Sequence, residues 1–177
     1  MDPQVPGTST STRMRRFVVV APLAPLRVGD RFTTRDWPLH VTLVPTFFSR
    51  ASVDEIARAL ALATSSLPVV RVVLGPDALF GPRHTVPVSE VVMDPALRAT
   101  HACLVAGLVA GLAEMEPESP QYTGEGFRAH VTHRRSQRLG PGDTATLRQV
   151  ALVDMEPGQH LGMRAVLAVG PLRPRPA

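Results

Sequence analysis

Hydrophobic and polar positions along the chain form short runs rich in β-branched residues, each bounded by proline, glycine or serine. Such runs are typical of β-strands, because branched side chains suit a pleated, half-buried surface. Two longer stretches have apolar residues at the three- and four-residue spacing of a helix. The pattern therefore predicts a mixed α/β chain with seven strands, at residues 16–23, 39–47, 69–74, 86–93, from 127 onward, 147–154 and 164–169.

The two predicted helices both begin at clear capping signals. Ser52 and Glu55 have the three-residue spacing of a capping box, and the helix behind them is predicted to end near residues 65–66. Asp94 followed by Pro95 supplies an N-cap and a proline at the first helical position, where a missing N–H does no harm. These local signals fix where each helix starts.

The second predicted helix carries two residues with possible chemistry. Apolar residues continue at helical spacing from Leu97 to Met115. His101 falls on the same face as Leu97, so we predict a packed core histidine rather than a ligand. The apolar neighbours of Cys103, the only cysteine, predict that this thiol is buried as well. A lone cysteine cannot form an internal disulfide, so nothing requires an oxidising compartment and we expect a cytoplasmic protein.

The order of elements divides the chain into two α/β halves, each with one helix. A chain of 177 residues is most simply one domain, here a single domain of two lobes. Residues 1–13 have too little apolar content to fold and are predicted to be a disordered tail, which leaves 14–177 as the domain. No apolar run reaches the length that crosses a bilayer, so no membrane interaction is expected.

Each half contains the tripeptide His-Val-Thr, once from His40 and once from His130, ninety residues apart. Side chains alternate along a strand, so the His and the Thr of each copy face one side and the Val faces the other. Two such strands side by side would line one cleft with two imidazoles, which titrate near neutral pH, and two hydroxyl donors. Such a set of side chains is suited to proton transfer to and from a phosphate group. The predicted catalytic residues are therefore His40, Thr42, His130 and Thr132.

Arginine alone carries the positive charge of the chain, with 19 arginines, no lysine and a net charge of +4. Guanidinium groups suit bidentate contacts to phosphate, although the codon bias of a GC-rich genome would explain the same composition. Several arginines surround the second His-Val-Thr copy, and aromatic residues near the motifs could stack on a base or simply fill the core. The predicted substrate-binding residues are Arg134, Tyr122, Phe47 and Arg128.

At these residues the chain resembles the two-histidine (2H) phosphoesterases, a superfamily that includes 2′-5′ RNA ligase-like proteins and RNA 2′,3′-cyclic phosphodiesterases. The family signature is two H-x-[T/S]-x motifs, matched here by residues 40–43 and 130–133, and the likeness covers most of residues 15–170. The resemblance implies an α+β fold of two lobes. Two mainly antiparallel sheets, flanked by helices, would surround a central cleft.

The resemblance also implies metal-independent hydrolysis of 2′,3′-cyclic phosphates or 2′-5′ linkages in RNA ends or nucleotides. One histidine deprotonates the attacking group and the other protonates the departing oxygen; the family assigns His40 as proton donor and His130 as acceptor. The threonine hydroxyls would stabilise charge on the phosphate oxygens. No metal, no other cofactor and no stable protein partner are expected. The alternatives are the same chemistry on a small phosphorylated metabolite and a catalytically idle nucleotide-binding module.

His133 departs from the signature, because the last motif position is usually apolar in the family, as Leu43 is here. Strand alternation turns His133 away from His130, so it is expected to lie at a wetter edge or to hydrogen-bond beneath the site. The two histidines also form H-x-x-H, a possible zinc pattern. Their opposite directions and the lack of Cys, Asp or Glu at ligand spacing argue against a metal.

Overall fold

The computed structural model describes residues 13–134 and 137–174. The first twelve residues of the predicted tail, and Arg135 beside the second motif, lie outside the described residues. Within the described residues, ten strands and two α-helices form the fold: β1 (Arg15–Pro22), β2 (Arg31–Thr33), β3 (His40–Ser49), α1 (Val53–Thr64), β4 (Val70–Phe80), β5 (Val86–Val91), α2 (Pro95–Gly111), β6 (Glu116–Pro117), β7 (His130–Thr132), β8 (Thr144–Leu147), β9 (Gln149–Asp154) and β10 (Met163–Pro171).

The strands form an antiparallel sheet in the order β2-β10-β9-β1-β3-β7-β5-β4-β8, with β6 paired to the end of β3. The sheet has two halves, β2-β10-β9-β1-β3 and β7-β5-β4-β8, which meet where β3 pairs with β7 through a single registered pair, Val41 and Val131. They differ from the two halves of the sequence, because β9 and β10 lie in the half with β1 and β3, and β4 lies in the half with β5 and β7. The predicted α/β fold of two antiparallel lobes is therefore confirmed. The two expected sheets are joined at this pair into one.

Both helices start where the capping signals predict them. Ser52 Oγ accepts a hydrogen bond from the Glu55 N–H, and the Glu55 carboxylate accepts one from the Ser52 N–H, so the capping box is complete. The Asp94 carboxylate accepts from the Leu97 N–H at 2.8 Å and thereby caps the second helix. Neither helix in the described part of the chain combines the length and the hydropathy that a membrane crossing requires.

The second helix, α2, is buried along one stripe only. It ends at Gly111, before the predicted Met115, because the backbone at Leu112 is already extended. His101 is buried as predicted, and its Nδ1 donates to the Leu43 carbonyl at 2.7 Å. The prediction that Cys103 is buried is wrong: the thiol is exposed, since it lies beside the buried stripe rather than on it.

Several strands differ from their predicted lengths. β4 continues beyond its predicted end at residue 74 to Phe80, because it pairs with β5 along most of a hairpin. The second motif strand is only three residues long and begins at His130, not at Phe127. The extension of β4 matters for the site, because it brings Phe80 close to the second motif.

The main core lies between the sheet and the two helices. Phe17, Val41 and Val131 belong to it, together with the buried faces of α1 and α2. A smaller cluster, which includes Trp37 and Val166, is built from the alternate residues of β1 and β9 and so occupies the other face of the sheet. The residues that flank Val41 and Val131 must face that other side as well.

Candidate active site

The two His-Val-Thr strands lie side by side in the sheet as β3 and β7. Their valines pair with each other and are buried in the main core. The flanking side chains face the opposite side, where they line a cleft of about 850 Å³, which we call the motif cleft. This cleft brings together all four residues predicted to be catalytic: His40, Thr42, His130 and Thr132.

The register of β3 and β7 sets each histidine opposite the threonine of the other strand. Because Val41 pairs with Val131 in an antiparallel sense, the same register places His40 opposite Thr132 and Thr42 opposite His130. Directly opposed residues have Cβ atoms about 5 Å apart, and diagonal neighbours such as the two histidines are about 7 Å apart. The register thus sets the two histidines on one diagonal and the two threonines on the other.

Each imidazole is oriented by the backbone carbonyl two residues before it. His40 Nδ1 donates to the Pro38 carbonyl at 2.7 Å, and His130 Nδ1 donates to the Arg128 carbonyl at 3.0 Å. A carbonyl can only accept, so both contacts require a proton on Nδ1. The neutral forms of the two histidines therefore share one tautomer, with Nε2 as the nitrogen that can receive a proton.

Each imidazole also packs against an aromatic ring. The ring centroids of His40 and Trp37 are 4.2 Å apart, and those of His130 and Phe80 are 4.7 Å apart. This packing restricts rotation of both imidazoles. An arginine guanidinium lies over each aromatic ring in turn: Arg164 over Trp37 at 5.5 Å and Arg128 over Phe80 at 4.9 Å.

Burial lowers the pKa of both histidines. The pKa of His40 falls to about 4, mainly because burial removes water from its charged form; its carbonyl contact opposes this shift, while the charges of Arg134 and His130 add to it. The pKa of His130 is lowered chiefly by burial too; its carbonyl contact and the Glu90 carboxylate raise it, while the charge of Arg128 adds to the lowering. Both imidazoles are thus mainly neutral near pH 7 without a bound anion. A phosphate beside them would raise both pKa values.

Two of the predicted binding arginines lie in the motif cleft but in different surroundings. Arg134 donates from Nε to the Trp37 carbonyl at 3.1 Å and is half-buried. Arg128 lies at the rim, where it pairs with Glu90 and its side chain is 65% exposed. No carboxylate in the described part of the chain pairs with Arg134. Arg134 is therefore better placed than Arg128 to neutralise a substrate phosphate.

The two predicted stacking residues have opposite outcomes. Tyr122 lines the motif cleft and is 57% exposed, so its ring is accessible to a base. The prediction for Phe47 is wrong, because this ring is fully buried in the main core and packs against Phe17 with centroids 5.8 Å apart. Two register shifts lie between Thr42 and Phe47 on β3, and beyond them Phe47 pairs with Phe17 on the core side of the sheet.

His133 turns away from the motif cleft, as predicted. Its Nε2 lies 2.8 Å from Ser89 Oγ and 3.5 Å from Asp77 Oδ1. The Ser89 hydroxyl is fully buried and also contacts the Leu139 carbonyl at 2.5 Å. His133 thus belongs to a polar network that supports the end of β7. Among the described residues, no three His, Cys, Asp or Glu side chains are grouped so that they could hold a metal ion.

Sequence reasoning did not select the two aromatic residues that hold the histidines. Trp37 lies only three residues before His40, and this nearness is a signal that could have selected it. Phe80 lies fifty residues before His130 and approaches it only because β5 pairs with both β4 and β7. No local pattern predicts that contact.

The fold and the cleft together define an antiparallel α/β protein of two halves, each of which contributes one histidine and one threonine to a shared site. The chain belongs to the 2′-5′ RNA ligase superfamily, whose family model matches residues 15–156. This match confirms the resemblance that the two motifs indicated.

Solved structures share the fold at low sequence identity. A crystal structure of a phosphoesterase has a TM-score of 0.57 and 14% identity, and the similarity covers 91% of this chain and 99% of the other. Escherichia coli LigT complexed with 3′-AMP has a TM-score of 0.56 and 14% identity, with 91% and 99% covered. The protein TT0787 of Thermus thermophilus has a TM-score of 0.57 and 17% identity, with 91% and 100% covered. No curated protein matches the chain in sequence.

Proposed function

We propose that the protein is a phosphodiesterase that acts on 2′,3′-cyclic phosphates or 2′-5′ linkages of RNA ends or nucleotides. One observation carries the proposal: two histidines, each with Nδ1 bound to a carbonyl and each opposite a threonine, line one cleft. Membership of the 2′-5′ RNA ligase superfamily supports phosphodiester chemistry. The complex of E. coli LigT with 3′-AMP supports a nucleotide as the substrate.

The two histidines divide the proton transfers of hydrolysis between them. His130 Nε2 accepts a proton from water as the water oxygen attacks phosphorus. Protonated His40 donates its Nε2 proton to the ribose oxygen as the P–O bond of the cyclic phosphate breaks. Thr42 and Thr132 donate hydrogen bonds to the non-bridging oxygens, where negative charge increases in the transition state. Proton exchange with water then restores a neutral His130 and a protonated His40.

The substrate itself supplies the electrostatic conditions for this cycle. Without an anion the pKa of His40 is about 4, which is too low for a proton donor near neutral pH. A phosphodiester anion between the imidazoles raises both pKa values, and Arg134 neutralises part of its charge. Since one histidine must be charged and the other neutral, we expect a bell-shaped dependence of rate on pH. Tyr122 is placed to stack on the base of a bound nucleotide.

A substrate panel tests this proposal directly. The panel contains 2′,3′-cyclic nucleotides, RNA with a cyclic phosphate end, 2′-5′ linked dinucleotides and small phosphorylated metabolites, each assayed with and without excess chelator. We expect hydrolysis of at least one nucleotide or RNA substrate, because the proposed chemistry uses no metal. Loss of activity with chelator that zinc or magnesium restores would contradict the mechanism.

Two alanine variants assign the activity to the motif cleft. His40→Ala and His130→Ala should each lower kcat/KM by at least about a hundredfold, since each removes an acid or a base. Arg98→Ala, at an exposed position on α2, is the matched control and should keep wild-type activity. Turnover of a small metabolite alone would contradict the proposed substrate class. Nucleotide binding without any turnover would contradict the assignment as an enzyme.

A further inference from the structure

We propose that Trp37 is a positioning residue that holds His40 and Arg134 in their places in the motif cleft. Its side chain contacts the histidine of the first motif, and its backbone carbonyl contacts the arginine that follows the second motif. One residue therefore joins the two halves of the site. The kinetic part of this inference rests on the proposed function, whereas its structural part concerns only these three residues.

The pair Trp37-Pro38 makes three contacts with the site. The Trp37 ring lies 4.2 Å from the His40 ring, centroid to centroid. The Trp37 carbonyl accepts from Arg134 Nε at 3.1 Å, and the next carbonyl, of Pro38, accepts from His40 Nδ1 at 2.7 Å. Proline fixes its own φ and restricts the residue before it, so both carbonyls keep a defined direction. Any shift of this pair would move His40 and Arg134 together.

Trp37 is itself held firmly. Its side chain is in the smaller apolar cluster and only 8% exposed. The Arg164 guanidinium lies over the ring at 5.5 Å, a cation–π distance. Arg164 is equally buried, and its Nη1 donates to three backbone carbonyls, those of Met155 at 2.6 Å, Leu161 at 2.9 Å and Met163 at 2.7 Å, whereas its Nε has no hydrogen-bond partner within the described residues.

In the described part of the chain, the ring that packs on the second histidine does not connect the two halves of the sheet. Phe80 packs against His130, but the backbone of Phe80 pairs with β5, which belongs to the same half. The arginine over this ring, Arg128, is largely exposed and pairs with Glu90. Phe80 thus supports His130 from within its own half of the sheet, whereas Trp37 contacts both His40 and Arg134.

Three variants separate positioning from stability. Trp37→Leu removes the aromatic ring and keeps the backbone carbonyl, whereas Trp37→Phe keeps an aromatic surface against His40. Val166→Ala removes apolar volume from the same buried cluster without a contact to the motif cleft. Trp37→Leu and Val166→Ala should both lower the melting temperature, because both leave a cavity. Only Trp37→Leu should alter His40 and Arg134.

The first readout is the pKa of His40, followed by NMR without any substrate. Burial holds this pKa at about 4, and loss of the Trp37 ring should let water reach the imidazole. We expect a rise of at least about one pH unit in Trp37→Leu and little change in Trp37→Phe or Val166→Ala. An unchanged value in Trp37→Leu would overturn the inference for His40.

The second readout is the binding of inorganic phosphate, which reports on Arg134. Leucine keeps the carbonyl that Arg134 contacts, but without the ring anchored in the smaller cluster this carbonyl can shift and move the guanidinium with it. We therefore expect phosphate binding at least about fivefold weaker in Trp37→Leu, and within about twofold of wild type in Trp37→Phe, because a displaced guanidinium loses its charge-assisted contacts. Equal phosphate affinity in Trp37→Leu and Val166→Ala would overturn the inference for Arg134.

Kinetics provide the third readout on any substrate that the panel identifies. We expect kcat to fall at least about tenfold in Trp37→Leu, because small displacements of catalytic groups are costly, and to stay near wild type in Val166→Ala. Equal losses in the two variants would show a role in stability alone. A wild-type protein that hydrolyses nothing would contradict the proposed function, while the NMR and phosphate measurements would still decide the role of Trp37.

Discussion

The two histidines share a backbone contact but differ in their surroundings. His40 is 8% exposed and lies near the positive charge of Arg134. His130 is more open and lies between the charge of Arg128, which lowers its pKa, and the carboxylate of Glu90, which raises it. The greater exposure of His130 favours a proton there, whereas the family resemblance gives the donor role to His40. The proton donor and the proton acceptor can be distinguished by testing which histidine protonates the leaving group.

We expect the loss of activity in His40→Ala to be partly rescued by a cyclic substrate with sulfur in place of the departing ribose oxygen. A thiolate leaves without a proton far more readily than an alkoxide, so the donor becomes dispensable while the base does not. Relative to wild type, His40→Ala should regain at least about tenfold in kcat/KM on the sulfur substrate. His130→Ala should regain little, and rescue of that variant instead would reverse the assigned roles.

His133→Leu should keep activity within about tenfold of wild type, or about 1.4 kcal/mol of barrier. The imidazole contacts Ser89 rather than the motif cleft, and Ser89 still has the Leu139 carbonyl as a partner when the imidazole is removed. His130→Ala, three positions earlier, should cost at least about a hundredfold. Both variants are compared on one cyclic nucleotide. Equal losses would place His133 in the motif cleft.

At the scale of elements, α1 and α2 pack closely through small residues. A Cβ added at Gly107 would lie 2.5 Å from the Cβ of Ala63, and one added at Gly111 would lie 2.7 Å from that of Ala59. Glycine within a helix is less favourable than alanine by about 1 kcal/mol. The close contact between the two helices therefore explains why glycine occupies these positions.

Gly107→Ala should lower the free energy of unfolding by about 1–3 kcal/mol, although alanine is the better helix former. The added methyl group meets Ala63, so the helices must separate slightly. Gly162→Ala is the matched control, because its added Cβ meets no atom within 4 Å. Urea unfolding of both variants measures the difference. A more stable Gly107→Ala protein would show that the helix contact can relax without cost.

The elements also show what the sequence could and could not predict. Helix starts were predictable because Ser52 and Asp94 act on backbone groups within their own first turn. The full length of β4 was not, since Gly75 and Pro76 indicate the end of a strand, whereas β4 continues through them in its hairpin with β5. Phe47 was misassigned because nearness to the motif was given more weight than strand alternation.

The pairing of the two motif histidines in one cleft was predictable because the motif is repeated, whereas their aromatic contacts depend on tertiary structure.

At the scale of the whole molecule, the site lies on the junction between the two halves. β3 and β7 share one registered pair, and the hydrogen bond from Arg134 to the Trp37 carbonyl adds a second link beside the cleft. Each half thus provides one imidazole and one hydroxyl, and the geometry between them depends on how the halves dock. The repeated motif predicted that two halves share the site. It did not predict which strands form each half of the sheet, because the pairing of β9 with β1 joins segments far apart in the sequence.

Stability of the whole protein should depend on pH through its buried neutral histidines. The pKa of His40 is about 4 in the folded protein, against an ordinary value of 6.5. Between these two values the unfolded chain binds a proton that the folded protein does not bind. The free energy of unfolding should therefore decrease as pH falls from about 6.5 toward 4. Burial also lowers the pKa of His101 and His130, which act in the same direction.

His40→Gln tests this linkage, because glutamine is polar, similar in reach and does not titrate. Urea unfolding at pH 7 and at pH 5 should show a smaller loss of stability in His40→Gln than in wild type. His160→Gln, at an exposed position, is the matched control and should keep the wild-type dependence. Added inorganic phosphate should also reduce the loss in wild type, since a bound anion raises the pKa of the folded histidine. The same pH dependence in wild type and His40→Gln would mean that His40 is not held neutral in the motif cleft.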